Sequence, residues 1–273
     1  VMVNRIWLWH FGSAIVRTPD NFGRLGERPT HPELLDRLAR EFVRGDWSVK
    51  RMHRLIMRSS AYQMSSRYDE RADAIDPENR LLWRMNPRRL EAESIRDSIL
   101  AVSGRLDRGF GGNLLKTPNR AYVAGTASVN GASYNSSRRS LYLPIIRSAL
   151  YEVLQAFDFA DPSTPNGQRD TTTVAPQALC LMNSGLVAES SRTLADRILS
   201  NPAPNEATRL ERLYQAAYGR SPSAAEVARA DRFLDRYEHA DELAATPPHE
   251  RRRKAWQGLC RVLFESSEFI YVD

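Results

Sequence analysis

The sequence has little lysine, little cysteine and no long apolar run, and each shortage narrows what the chain can be. Of its 39 basic residues only Lys50, Lys116 and Lys254 are lysine, so arginine carries the net charge of +6. Arginine pairs bidentately with carboxylates and phosphates. Here, though, Asp and Glu are interleaved along the whole chain, and no basic stripe with interspersed aromatics forms, which argues against a nucleic-acid binder. The densest basic run, Arg251 to Lys254, reads as the first-turn surface of a helix. No stretch approaches the ~18 apolar residues of a membrane span.

The two cysteines, Cys180 and Cys260, sit in apolar helical contexts and read as small core residues, with one disulfide left open. No Cys-x-x-Cys-His occurs, so this segment attaches no c-type haem. Gly-x-Ser-x-Gly, the P-loop, the dinucleotide fingerprint and His-Glu-x-x-His are missing as well, which removes the simplest catalytic classes. The start, Val1 to Phe11, carries Asn4 and Arg5 and has no cleavage site, so it is not a signal peptide; it reads as the opening of a piece of something longer.

What is present is mostly amphipathic helix. Thr30-His31-Pro32-Glu33 has the form of a capping box, followed by Leu34, Leu35, Leu38, Phe42 and Val43 at helical spacing up to Gly45. Ser48 opens a second helix, a third is expected near Asp76-Pro77-Glu78, and a fourth spans about Arg89 to Val102. The pattern fails from Gly104 to about Ser137, where glycine and asparagine mark a long loop region, and Leu141 to Ile146 suits a short extended segment. Helices are expected again over about Ala175–Leu199, Glu206–Tyr218, from a capping box at Ser223, and over His249–Phe264. The fold class is mainly α, a multi-helix domain with a long irregular glycine-rich middle and a C-terminal helical bundle. Its parts are 1–103, 104–174 and 175–273 of one continuous domain.

The polar residues between Arg138 and Asn183 stand out against this background. Arg138 and Arg139 precede the apolar Leu141-Tyr142-Leu143, where arginine needs a carboxylate; Asp158 or Asp161 is the natural partner. A threonine of the run Thr171 to Thr173 suits the cap of the helix that Pro176 opens, leaving Thr172, Thr173, Gln177 and Asn183 as polar candidates. This set supports either a buried structural network or a cleft holding an anionic or sugar-like ligand. Among the histidines, His10 is the strongest candidate, because it follows Trp7 and Trp9 where the chain leaves a helix. His31 reads as part of a helix start and His53 as a partly buried member of an amphipathic helix. No ligand spacing joins the three, so no metal site is expected.

Several stretches together resemble one family. They include Val3-Asn4-Arg5-Ile6-Trp7 with His10-Phe11-Gly12, Thr18-Pro19-Asp20-Asn21-Phe22-Gly23, His31-Pro32-Glu33-Leu34-Leu35 and Ser59-Ser60-Ala61-Tyr62-Gln63. Further along come Arg88-Arg89-Leu90-Glu91-Ala92-Glu93, Arg138-Arg139-Ser140-Leu141-Tyr142, Phe157-Asp158, and Thr172-Thr173-Val174-Ala175-Pro176-Gln177. In this order they resemble the planctomycete-type C-terminal domain known as domain of unknown function 1553, over essentially the whole chain. The resemblance implies a mainly helical module of secreted, periplasmic or envelope proteins, commonly following a cytochrome c-like domain that would carry any haem. The expected function is a binding or assembly module of such a protein, with the upstream cytochrome-like domain, other envelope proteins, or a carbohydrate or anionic ligand as partners. The alternative is an enzyme domain in carbohydrate degradation or an associated redox step, with its site in the polar middle.

Overall fold

The computed structural model describes residues 1–112, 114, 134–145 and 150–272. Among them the chain is mainly α, with twelve helices and one two-stranded ribbon. It divides into two units: Val1–Arg89 with Thr164–Asp170 and the last strand, and Leu90–Ser163 with Thr171–Ile270.

The first unit is built on α1 (Met2–Phe11), α2 (Pro32–Arg44) and α3 (Val49–Met57), which pack on one another, followed by α4 (Glu70–Ile75). Their inward stripes meet in a core of Ile6, Trp7, Phe11, Ile15, Phe42, Met52 and Ile56. Asn4 is fully buried beside this core, at little cost. Its amide donates to the Val16 carbonyl at 3.0 Å and accepts the Val16 N–H at 2.8 Å, so both ends are satisfied. Gly12 ends α1 in the left-handed region (φ 74°), and a Cβ there would lie 2.6 Å from Cδ of Arg88, so glycine is required twice over. β1 (Arg88–Arg89) pairs antiparallel with β2 (Tyr271–Val272).

Two helix starts differ from the sequence reading. His31, not Thr30, is the N-cap of α2; Thr30 is bound instead to the Ile15 carbonyl through its own N–H at 2.9 Å. At Asp76 a helix stops and none begins. Its carboxylate accepts the N–H groups of Arg80 (2.9 Å) and Leu81 (2.7 Å), so the acid organises a turn beyond α4. The Ser48 cap is as expected, accepting the Arg51 N–H at 3.3 Å.

The second unit contains α5 (Ala92–Ser103), a 3₁₀ turn at Ser140–Tyr142, α6 (Glu152–Ala156), α7 (Ala175–Asn183), α8 (Gly185–Ser200), α9 (Glu206–Tyr218), α10 (Ala224–Glu238), α11 (Pro248–Phe264) and α12 (Ser267–Ile270). α8 packs against both α5 and α11, and α11 against α10. Leu194, Ala195, Leu213, Trp256, Cys260 and Phe264 are sealed at the centre. Trp256 satisfies its one polar atom by donating to Oε1 of Glu206 at 3.2 Å. The box at Ser223 is real: Ser223 N–H donates to Oε2 of Glu226 at 2.7 Å, and Glu226 N–H returns to the Ser223 hydroxyl at 3.4 Å.

The single helix expected from Ala175 to Leu199 is two. Ser184 breaks it, because its hydroxyl accepts the Leu186 N–H at 3.2 Å and so caps a new helix instead of continuing the old one. Both cysteines are free thiols. Burial pushes Cys180 up to about 11, and Cys260 further in the same direction, which favours the neutral thiol of a packing group. The extended segment expected from Leu141 is a 3₁₀ turn at Ser140–Tyr142. Ile146 and most of the glycine-rich loop (113, 115–133), with Lys116, lie outside the described residues.

Candidate functional site

The centre of the polar region is an arginine on the apolar face of α5. Ala92, Ile95, Arg96, Ile99, Leu100 and Ser103 form the buried stripe of that helix, and Arg96 is 1% exposed. A guanidinium there must find acceptors from elsewhere in the chain. Nη1 donates to the Arg138 carbonyl at 2.8 Å, to the Ser140 hydroxyl at 3.2 Å and to Oδ1 of its neighbour Asp97 at 3.2 Å; Nη2 donates to the Ser136 carbonyl. Burial pulls the Arg96 pKa down, while Tyr151 and Asp97 oppose the fall. Even so, a guanidinium stays charged.

Asp97 completes the centre. It accepts the Ser140 N–H at 2.8 and 3.0 Å and the Ser140 hydroxyl at 2.7 Å. A segment more than forty residues away is thereby clamped to α5 by one carboxylate and one guanidinium. The clamp presents the next residue, Arg139, to an open groove of about 610 Å3. Glu91, Glu93, Asp97, Ser94, Ser98 and Ser140 line the groove with Arg139, and Leu141, Leu143, Ile145, Leu106 and Phe159 give it an apolar wall. Arg139 is only lightly held. Its Nη2 donates to the Tyr142 hydroxyl at 3.3 Å, and its Nε, though buried, has no partner.

The two expected arginines therefore act separately, and neither pairs with Asp158 or Asp161. Arg138 turns to the start of the glycine-rich loop, where Nη2 donates to the carbonyls of Gly109 (2.9 Å) and Gly111 (2.5 Å). It lies over the Tyr142 ring at 4.3 Å, and its nearest carboxylate is Asp107 at 3.9 Å. The carboxylate closest in space was one that sequence distance had not singled out. Tyr142 also accepts the Gly111 N–H at 3.2 Å; that bond comes first, ahead of Arg139, in drawing its phenol pKa down.

Asp158, Thr172 and Gln177 are brought together. Asp158 takes a left-handed conformation (φ 56°), tolerable for aspartate, and accepts the Thr172 N–H at 2.8 Å and its hydroxyl at 2.9 Å. Gln177 is 6% exposed; it donates to the Thr172 carbonyl at 3.1 Å and accepts the Val174 N–H at 3.4 Å. The start of α7 is thus capped from inside by Gln177, while the N-cap itself is Val174 and not a threonine. Thr173 is exposed, and Asn183 only donates back to the Leu179 carbonyl at 3.0 Å. Asp158, Thr172 and Gln177 tie the entry of α7 together, and none of these five residues lines the groove.

His10 belongs to the first unit. Its Nε2 lies 2.7 Å from Nδ1 of His53, and its ring meets the Tyr62 ring edge-on at 5.2 Å between centroids. Burial, then His53, then Arg88 draw its pKa down. His53 was read from the sequence as structural; that α1 and α3 set it against His10 is a tertiary fact without a local signal.

Arg96 and Asp97 are the residues that the sequence reading missed. The signal was there: Arg96 stands four residues after Ala92 and three before Ile99, on the apolar stripe, where a charged side chain has to have a purpose.

The described residues thus make a mainly helical protein with a polar clamp beside an open groove of mixed charge. The chain belongs to the PSD1 family, proteins of unknown function (DUF1553), whose family model matches residues 1–234. No curated protein and no solved structure matches it.

Proposed function

We propose that the chain is a ligand-binding module whose groove at Arg139 holds a neutral, polyhydroxylated ligand, a carbohydrate segment. The observation that carries this reading is the lining of the groove. Glu91, Glu93 and Asp97, the last already bonded to Arg96 and Ser140, line it with the Arg139 guanidinium, serine hydroxyls and an apolar wall that includes Phe159. Carboxylates accept from sugar hydroxyls, guanidinium donates to them, and the apolar wall covers the C–H face of a sugar ring. Carboxylates in the lining make a free anion a poorer fit than a neutral polyol. The clamp on Ser140 supports binding because it fixes the rim before a ligand arrives, which lowers the ordering cost of association.

The setting of this module, an extracytoplasmic protein with a cytochrome c-like domain and other envelope partners, is an expectation from family resemblance. Among the described residues, no helix is long and apolar enough to cross a membrane.

A second reading, hydrolysis of the bound glycan, draws on Glu91, Glu93 and Asp97 sharing one groove. A glycan array carrying neutral and acidic oligosaccharides tests the first reading. Retention of neutral members with loss in Arg139→Ala supports it, and retention of polyanions alone overturns it. New reducing ends from a retained oligosaccharide would favour the second.

A further inference from the structure

We propose that His10 and His53 form a two-histidine site for a borderline divalent transition-metal ion, of the class of Cu2+, Ni2+ or Zn2+. The two imidazoles come from different helices, α1 and α3, and direct Nε2 of His10 and Nδ1 of His53 at one another across 2.7 Å. Both helices are anchored by buried neighbours, Trp7 and Phe11 on one side, Met52 and Ile56 on the other. The backbones are therefore fixed and only the rings have freedom.

Metal–nitrogen bonds of about 2.0–2.1 Å at a tetrahedral angle place two ligand nitrogens about 3.3 Å apart, so the rings need to part by about 0.6 Å and turn by roughly 35° to aim at one ion. Both rings are part-exposed, which leaves room for that movement and for water in the remaining positions. A metal requires the neutral imidazole. The hydrogen that bridges the pair moves to the other nitrogen of its own ring, so a metal entering the neutral pair releases no proton.

Two features limit the affinity. Among the described residues no group of three or more His, Cys, Asp and Glu side chains is gathered, so protein supplies two ligands only. The Arg88 guanidinium, held by its bond to the Trp9 carbonyl at 2.6 Å, places a positive charge near His10. The order of affinity follows donor preference, with Cu2+ above Ni2+ and Zn2+, and Mg2+ without measurable binding.

The test is calorimetric titration of the protein with CuCl2, ZnCl2 and MgCl2, together with the electron paramagnetic resonance spectrum of the Cu2+ form. Expected are one Cu2+ site with hyperfine coupling to two nitrogens, affinity lowered at least about tenfold by His10→Gln or His53→Gln, and tighter binding in Arg88→Gln. His239→Gln and His249→Gln should leave the site intact, and thermal melts of each variant separate lost binding from lost folding. Where a glutamine variant melts early, histidine modification by diethyl pyrocarbonate, with and without Cu2+, reads the same pair in the unaltered chain. Absence of a transition-metal site, or one that survives both substitutions, overturns the proposal.

Discussion

Asp97 holds Ser140 twice, through its backbone N–H at 2.8 Å and through its hydroxyl at 2.7 Å. This single carboxylate sets where the Arg139 rim of the groove stands. Asp97→Asn keeps the shape but turns two of the acceptor positions into donors, so the Ser140 bonds cannot all survive. A loss of about 1–3 kcal/mol is expected for the second unit, against about 1 kcal/mol for Ser140→Ala. Urea denaturation of the two variants checks the order; equal losses would mean that the backbone bond contributes little.

Arg96 should be more sensitive still. Its guanidinium satisfies two backbone carbonyls as well as Asp97 and Ser140, inside a helix face that is otherwise apolar. Removing it takes that donor from the Ser136 and Arg138 carbonyls and the cation from Asp97, and Arg96→Ala is expected to destabilise by about 3–5 kcal/mol. Arg96→Lys should recover only part, since one ammonium cannot span the same fork. A lysine variant as stable as the parent would contradict the bidentate account.

Arg138 and Arg139 are neighbours with opposite expectations. Arg138→Ala frees two glycine carbonyls and the Tyr142 ring and should lower the melting temperature. Arg139→Ala forfeits one 3.3 Å bond and a weak contact over the Tyr142 ring at 5.5 Å, for which a change within about 1 kcal/mol is expected. Paired melts measure this directly, and a larger loss for Arg139 would mean that it is structural.

The His10–His53 pair gives a pH dependence whose sign follows from linkage. The folded protein holds His10 below the 6.5 of a free histidine, so the unfolded chain binds more protons between those values. The stability that this group contributes is present above pH 6.5 and is lost as pH falls toward the folded pKa. Melting temperatures from pH 7.5 to 5 should fall more steeply in the parent than in His10→Gln. Parallel curves would show that His10 is not the group responsible.

These particulars show how far the sequence could be read. Helices whose signals are local came through: Ser223 with Glu226, Ser48 with Arg51, and Glu206–Tyr218 ending at Gly219 are each fixed by residues three or four apart. The break at Ser184 was overlooked because helical periodicity runs on across it, although Ser184-Gly185 is a cap signal of its own. In the polar region the long-range partners differ from those expected. Arg138 lies nearest Asp107 where Asp158 or Asp161 was expected, and the chief cation is Arg96 on another helix. Partners separated by more than thirty residues depend on how the chain returns, and periodicity carries no information about that.

The groove beside Arg139 is proposed to bind a neutral carbohydrate on a preformed rim. The most direct test is calorimetric titration of an array-selected oligosaccharide into the parent, Arg139→Ala and Asp97→Asn proteins, with melts alongside. The account predicts saturable binding to the parent, loss in Arg139→Ala at an unchanged melting temperature, and weakened binding in Asp97→Asn together with lost stability. Binding of equal strength in the parent and in a fully folded Arg139→Ala protein would contradict it.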